Sequence, residues 1–154
     1  MKISVPVSTE KAIQFINEQN FCHLIMKDPE NPDFPHSITM AYACGKDVDG
    51  NDTMYISLMS GKKLAGVLAN PKVRVTVHTE PEGEDGDWSE SACNGELKRV
   101  TTTEGNNLAV EYMVKKFKLD ENIVGMLKGM VETSPEESMI FGLNLAETTG
   151  RKAE

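Results

Sequence analysis

Long apolar runs are missing from this chain of 154 residues, and none approaches the ~20 residues that a membrane-spanning helix requires. Met1 to Pro6 has neither the charged nor the apolar region of a signal peptide, so a cytoplasmic protein is expected. Cysteine is scarce. Cys22, Cys44 and Cys93 are odd in number and form no Cys-x-x-Cys, which argues against a disulfide framework or a zinc cage and predicts reduced thiols. Positive charge is also in deficit: 16 lysines and arginines against 24 carboxylates give a formal charge of −8. Nonspecific nucleic-acid binding, which needs cations to displace counterions from phosphates, is therefore disfavoured, and any anion must be drawn by a local site. Internal repeats and linkers are absent as well, so residues 1–154 read as a single domain.

The elements follow from periodicity. Ser8 and Thr9 are good N-caps for a helix over about residues 9–19, with Glu10 favourable in its first turn and Ala12, Ile13 and Ile16 on one face. Phe21 to Met26 reads as a buried strand. Asp28 to Pro35, with three prolines, predicts an exposed loop before a strand over Ser37 to Cys44. The turn Val48 to Asp52 joins that strand to Thr53–Leu58 as a hairpin-like pair. The Asn51-Asp52-Thr53 sequon lies in that turn. Residues 80–91 hold six carboxylates and the only tryptophan, a composition for a solvated loop or for a lid whose Trp88 stacks on a ligand. Gly95 to Thr103 is expected as a strand. Asn107 to Val131 is expected as helix with a break near Lys118 to Asp120, Met113, Met126 and Met130 packing a core or a subunit contact. Glu132 to Glu137 turns the chain, Ser138 to Leu145 returns as a last strand, and Thr148 to Glu154 reads as a polar tail. The sum is α+β and mainly β: an antiparallel barrel with helical additions.

Thr53 to Val77 is the most informative stretch. Thr53 to Ser57 has strand character, and Val73, Val75 and Val77 alternate with polar residues as in a half-buried strand. Between them Leu64, Val67 and Leu68 fall at helical spacing, and Asn70-Pro71 ends the helix. Ser60 or Gly61 would cap its start. Lys62 and Lys63 then stand on the first turn, where the helix dipole is positive, and a bound anion would relieve that conflict.

This segment resembles the signature of the pyridoxamine-phosphate-oxidase-like, FMN-binding split-barrel superfamily, most specifically over Tyr55 to Val77. The resemblance implies FMN as cofactor, with Lys62 and Lys63 as the basic pair on its phosphate and Ser57 at a phosphate-binding position. It implies further that Tyr55 and Ile56 belong to the strand lining the flavin, and that Ile38, Thr39 and Met40 run along the isoalloxazine ring. A homodimer with the flavin at the subunit interface and a small-molecule redox substrate follow from it too. The chain departs from true pyridoxamine-phosphate oxidases, which carry Arg and Lys at the ends of the earlier strand where Ile38 and Ala43 stand here. Its final strand has neither Arg nor His, and Arg151 and Lys152 stand in the short tail. The expected function is a small flavin-dependent oxidoreductase that does not oxidise pyridoxamine phosphate; a deazaflavin-dependent reductase, a haem-binding split barrel and a flavin carrier without turnover are the alternatives.

Other motifs fail on their own terms. Ser60-x-x-Lys63 matches a penicillin-binding nucleophile motif, but neither Ser-Asp-Asn nor Lys-Thr-Gly occurs. A P-loop is excluded because Lys63 stands where Ser or Thr must bind magnesium. His23, His36 and His78 are unpatterned in spacing and read as structural or surface residues rather than metal or haem ligands.

Overall fold

The computed structural model describes residues 2–59, 61–81 and 86–154. Among the described residues ten strands form two antiparallel sheets. The first strands and helices are β1 (Ser4–Val7), α1 (Thr9–Glu18), β2 (Phe21–Lys27), β3 (Pro35–Ala41), β4 (Ala43–Lys46), β5 (Asp52–Ser57) and α2 (Lys62–Ala69). They are followed by β6 (Lys72–His78), β7 (Ser89–Glu96), β8 (Lys98–Arg99), α3 (Thr103–Phe117), α4 (Glu121–Thr133), β9 (Ile140–Asn144) and β10 (Thr149–Ala153). The larger sheet runs β1-β10-β7-β6-β2-β3 and the smaller β4-β5-β9-β8.

The main core lies between the sheets. Cys22, Leu24 and Met26 of β2 and Val73, Val75 and Val77 of β6 face Met54 and Ile56 of β5 and Phe141 and Leu143 of β9. Alternation on β2 and β6 puts the other residues outward, as expected of an antiparallel sheet with one solvated face. A second core forms on the far side of the small sheet, where Ala43, Tyr55 and Ile140 meet Ala109, Val110 and Met113 of α3 and Val131 of α4. The layers are thus an open sheet face, the large sheet, the main core, the small sheet, α3 and α4.

Several expectations need correction. The strand Ser37 to Cys44 is broken at Tyr42, whose side chain is buried and whose hydroxyl donates to Ile16 O at 2.5 Å. Its first part, β3, pairs with β2 in the large sheet, and only its second part, β4, makes the hairpin with β5. The strand expected at Gly95 to Thr103 begins earlier, as β7 at Ser89, and Thr102 already caps α3 by accepting from Gly105 N. The tail is a strand as well: β10 lies between β1 and β7, inside the large sheet. Its residues are too polar for a periodic apolar signal, yet Gly150 lets Ala12 of α1 approach closely enough that a Cβ there would sit 2.8 Å from the alanine methyl. The break between α3 and α4 falls where expected, with Lys118 at φ 50° and Asp120 capping α4 by accepting from Asn122 N and Ile123 N.

Candidate functional site

The start of α2 carries the first part of the site. Gly61 is its N-cap at φ 90°, a conformation that suits glycine, and it offers no side chain to the first-turn amides. The N–H groups of Lys62, Lys63 and Leu64 therefore lack an intrahelical acceptor, since the first bond of the helix runs from Ala65 N to Gly61 O at 3.1 Å. Ser60, the other expected cap, lies outside the described residues. The two lysines differ. Lys62 Nζ is 2.8 Å from Asp28 Oδ2 and 3.6 Å from Glu30 Oε2, whereas Lys63 has no ion pair among the described residues. Half of the conflict between cations and helix dipole is thus answered by protein carboxylates.

Asp28 is the residue that sequence reasoning missed. Its Oδ1 accepts from Glu30 N at 2.9 Å and Asn31 N at 3.3 Å while Oδ2 holds Lys62, so one carboxylate shapes the β2–β3 loop and ties it to α2. Lys62 first, and then these amides, hold its carboxyl below the ordinary 3.8, and the same pair raises the Lys62 ammonium. The available signal was Asp-Pro-x-Asn, an Asx-turn composition. The loop closes with Phe34 N donating to Asn31 O at 3.0 Å and Asp28 N donating to Phe34 O at 3.3 Å. On its inner side α2 packs so tightly that a Cβ on Gly66 would lie 2.8 Å from Met26 Sδ and 3.5 Å from Pro29 Cδ.

The strand residues divide. Ile56 is fully buried in the main core, and Tyr55 points the other way, under α3, stacked on Tyr112 at 6.0 Å and 26°. Because β4 and β9 pair with both edges of β5, the backbone groups of these two residues are spent within the small sheet. Burial raises the Tyr55 phenol to about 12. Ser57 is exposed at the end of β5, four residues before Gly61. Ile38, Met40 and Leu64 all pack partly buried on the core that contains Ile56.

β3 is an edge strand, and its register decides which backbone groups are free. Asp28 N donates to Phe34 O and Tyr42 N to Asn20 O, and both pairs continue the β2–β3 register in which Leu24 faces Ile38. Antiparallel pairs alternate between bonded and non-bonded, so His36, Ile38 and Met40 spend their N–H and C=O on β2. The groups of Ser37, Thr39 and Ala41 point away from the sheet. Of the three residues expected along the ring, Thr39 alone keeps its backbone groups available.

Other candidates prove structural. Burial pushes Cys22 and Cys44 up to about 12, and burial also lowers Lys116, whose ammonium lies 4.0 Å above the Tyr42 ring and donates to Gln19 O at 2.5 Å. Thiols of this kind are poor nucleophiles. His23 and His78 stack at 5.5 Å on the open sheet face, His78 within 3.2 Å of Glu80. Among the described residues no group of three His, Cys, Asp or Glu is disposed to hold a metal. Of the loop or lid expected at 80–91, residues 82–85 lie outside the described residues and Ser89 to Ser91 belong to β7, while the Trp88 carbonyl accepts from Ala153 N at 3.0 Å. Among the described residues no helix is long and apolar enough to cross a membrane. A hollow of about 700 Å3 lies above Thr53, Tyr55 and Gly142, walled by Thr102 and Arg99, whose guanidinium is engaged by Ser138 O and the Phe141 ring.

Neither a protein-family model nor a curated protein of similar sequence matches this chain. Solved structures do. A proposed 5-nitroimidazole antibiotic resistance protein from Bacteroides thetaiotaomicron superposes with a TM-score of 0.71 at 14% identity, over 99% of this chain and 89% of that one. An FAD-binding protein from Mesorhizobium loti gives 0.67 at 17% identity, over 100% and 99% of the two chains. A proposed pyridoxamine 5'-phosphate oxidase from Corynebacterium glutamicum gives 0.55 at 9%, over 97% and 92%. At such identities the likeness is one of fold. The fold of this chain is the split β-barrel that these structures share, with helices at its periphery, as the resemblance of Tyr55 to Val77 implied.

Proposed function

We propose that this chain is a small redox flavoprotein that binds FMN, with the flavin phosphate at the start of α2 and the ring along the free edge of β3. The observation that carries this reading is a helix start whose Gly61 N-cap offers no side chain and whose Lys63 has no ion pair among the described residues, in a fold shared with proteins named for FAD binding or pyridoxamine 5'-phosphate oxidation. The amides of Lys62, Lys63 and Leu64 and the Lys63 ammonium would hold the phosphate, with Ser57 beside them. Lys62 would act indirectly, by fixing Asp28 and its loop. Thr39 would meet the polar rim of the ring through its backbone, and Tyr55 and Ile56 would keep the neighbouring strand rigid. A bound flavin supplies hydride or electron transfer, and the protein supplies orientation and charge.

Exposed apolar side chains support assembly as a homodimer with the flavin near the junction: Phe21, 62% exposed on the open sheet face, and Ile123, Met126 and Met130 along α4. Oxidation of pyridoxamine phosphate is not part of the proposal. Arg151 sits in β10 and donates to Ser4 Oγ at 2.6 Å and Ser4 O at 2.9 Å, so it is engaged within the large sheet instead of reaching over a ring. The test is an equilibrium titration followed by absorption. FMN should bind at about one per protomer, with riboflavin much weaker because it lacks the phosphate. Equal affinity for the two would remove the phosphate site, and a deazaflavin or haem spectrum from purified protein would replace the cofactor.

A further inference from the structure

The β2–β3 loop also borders an open hollow of about 670 Å3. Its floor is the outward face of the large sheet at Ile25, and its rim includes Phe34, Lys27, Lys72 and Arg74. Phe34 is unusual for an aromatic side chain in being 63% exposed, although its backbone is fixed at both N–H and C=O by the loop hydrogen bonds. A rigid backbone thus presents an aromatic face to solvent. Three cations line the same hollow in a chain of net charge −8, opposed by Asp33 and Glu96 in that lining. Arg74 is held across the sheet by a hydrogen bond to Asn94 Oδ1 at 3.0 Å, which leaves its remaining N–H groups to a ligand.

An exposed ring on a hydrogen-bonded backbone, with cations lining the same hollow, matches a flat heterocycle joined to a phosphate. The heterocycle stacks on the ring, and the phosphate takes the Arg and Lys donors. We infer that this hollow binds a nucleoside monophosphate unit, with the base on Phe34 and the phosphate toward Arg74, Lys72 and Lys27. The same chemistry has two sources in a redox flavoprotein: the adenylate half of a dinucleotide flavin, or that of a nicotinamide dinucleotide reductant. The first is favoured by position. The loop that bears Phe34 is the one Asp28 fastens to Lys62, and Met26, which lines the hollow, touches Gly66 of α2 on its other side. The inference rests on the flavin reading for these sources, but the hollow itself does not depend on Lys63.

The experiment is a titration of the full chain with AMP by calorimetry or ligand-observed NMR, in wild type and in Phe34→Ala, Phe34→Tyr and Arg74→Ala. Both positions are exposed, so the variants should fold. Binding should weaken on the order of tenfold or more in Phe34→Ala, be kept in Phe34→Tyr, and weaken in Arg74→Ala. No binding up to about 10 mM AMP, or affinities equal in all four proteins, overturns the inference. FAD binding more tightly than FMN, with the advantage lost in Phe34→Ala, assigns the site to the flavin; displacement of AMP by NADH or NADPH with FAD and FMN equal assigns it to the reductant. A chain that binds AMP in this way but shows no preference for FMN over riboflavin would keep the hollow and refute the α2 phosphate site.

Discussion

At the scale of single residues, the two lysines that look equivalent in sequence have different partners, and Asp28 makes the difference. A carboxylate 2.8 Å from Lys62 competes with any anion for that ammonium, so Asp28→Asn should free Lys62 and tighten FMN binding severalfold while the amide oxygen still accepts from Glu30 N and Asn31 N. Titration of the variant checks this, and weaker binding would mean that loop geometry outweighs charge. The pH dependence has a fixed sign. Asp28 is held below its ordinary value in the folded chain, so the link it provides is complete above about pH 4 and is lost as pH falls through the lowered value. Thr39 teaches the complementary point. Sequence placed Ile38, Thr39 and Met40 together, and only the strand register separates the one with free backbone groups from its neighbours.

At the scale of elements, α3 is docked on the small sheet through one contact that sequence does not announce. The Tyr112 ring lies directly over Gly45 of β4, where a Cβ would come within 2.2 Å of ring carbons, and its hydroxyl donates to Lys46 O at 2.7 Å. Gly45→Ala should therefore push α3 off the sheet and destabilise the protein by about 1–3 kcal/mol, measured as a lower denaturant midpoint with little change in slope. An unchanged midpoint would mean that the tyrosine moves aside freely. The helices and strands with strong periodicity, α1, β2, α2, β6 and the α3–α4 break, were legible because their apolar spacing and caps are local. The corner at Tyr42 was not, because a strand that changes sheets keeps its alternation while its partners change. β1 and β10 were not legible either. Their stability comes from pairing between the two ends of the chain, Ser4 with Ala153 through Val7 with Gly150, which no local pattern encodes.

At the scale of the whole molecule, Phe21 on the open sheet face and Ile123, Met126 and Met130 along α4 are among the large apolar side chains exposed outside the two cores, and in the proposed dimer a second copy covers them. Sedimentation of the flavin-loaded protein should give twice the 17.0 kDa chain mass, and Met126→Glu or Phe21→Glu should shift it toward the monomer. A strictly monomeric holoprotein would count against a shared cleft. The site itself was legible only in part: the basic helix start was visible in Gly61-Lys62-Lys63, whereas the capture of Lys62 and the closure of Tyr55 under α3 depend on contacts between distant segments. The central claim is that the α2 start holds a flavin phosphate through Lys63, and its most direct test compares FMN and riboflavin affinities in wild type and Lys63→Ala. FMN should lose about 1.5–3 kcal/mol, tenfold or more, while riboflavin is unaffected; equal losses for both, or none for FMN, would contradict it.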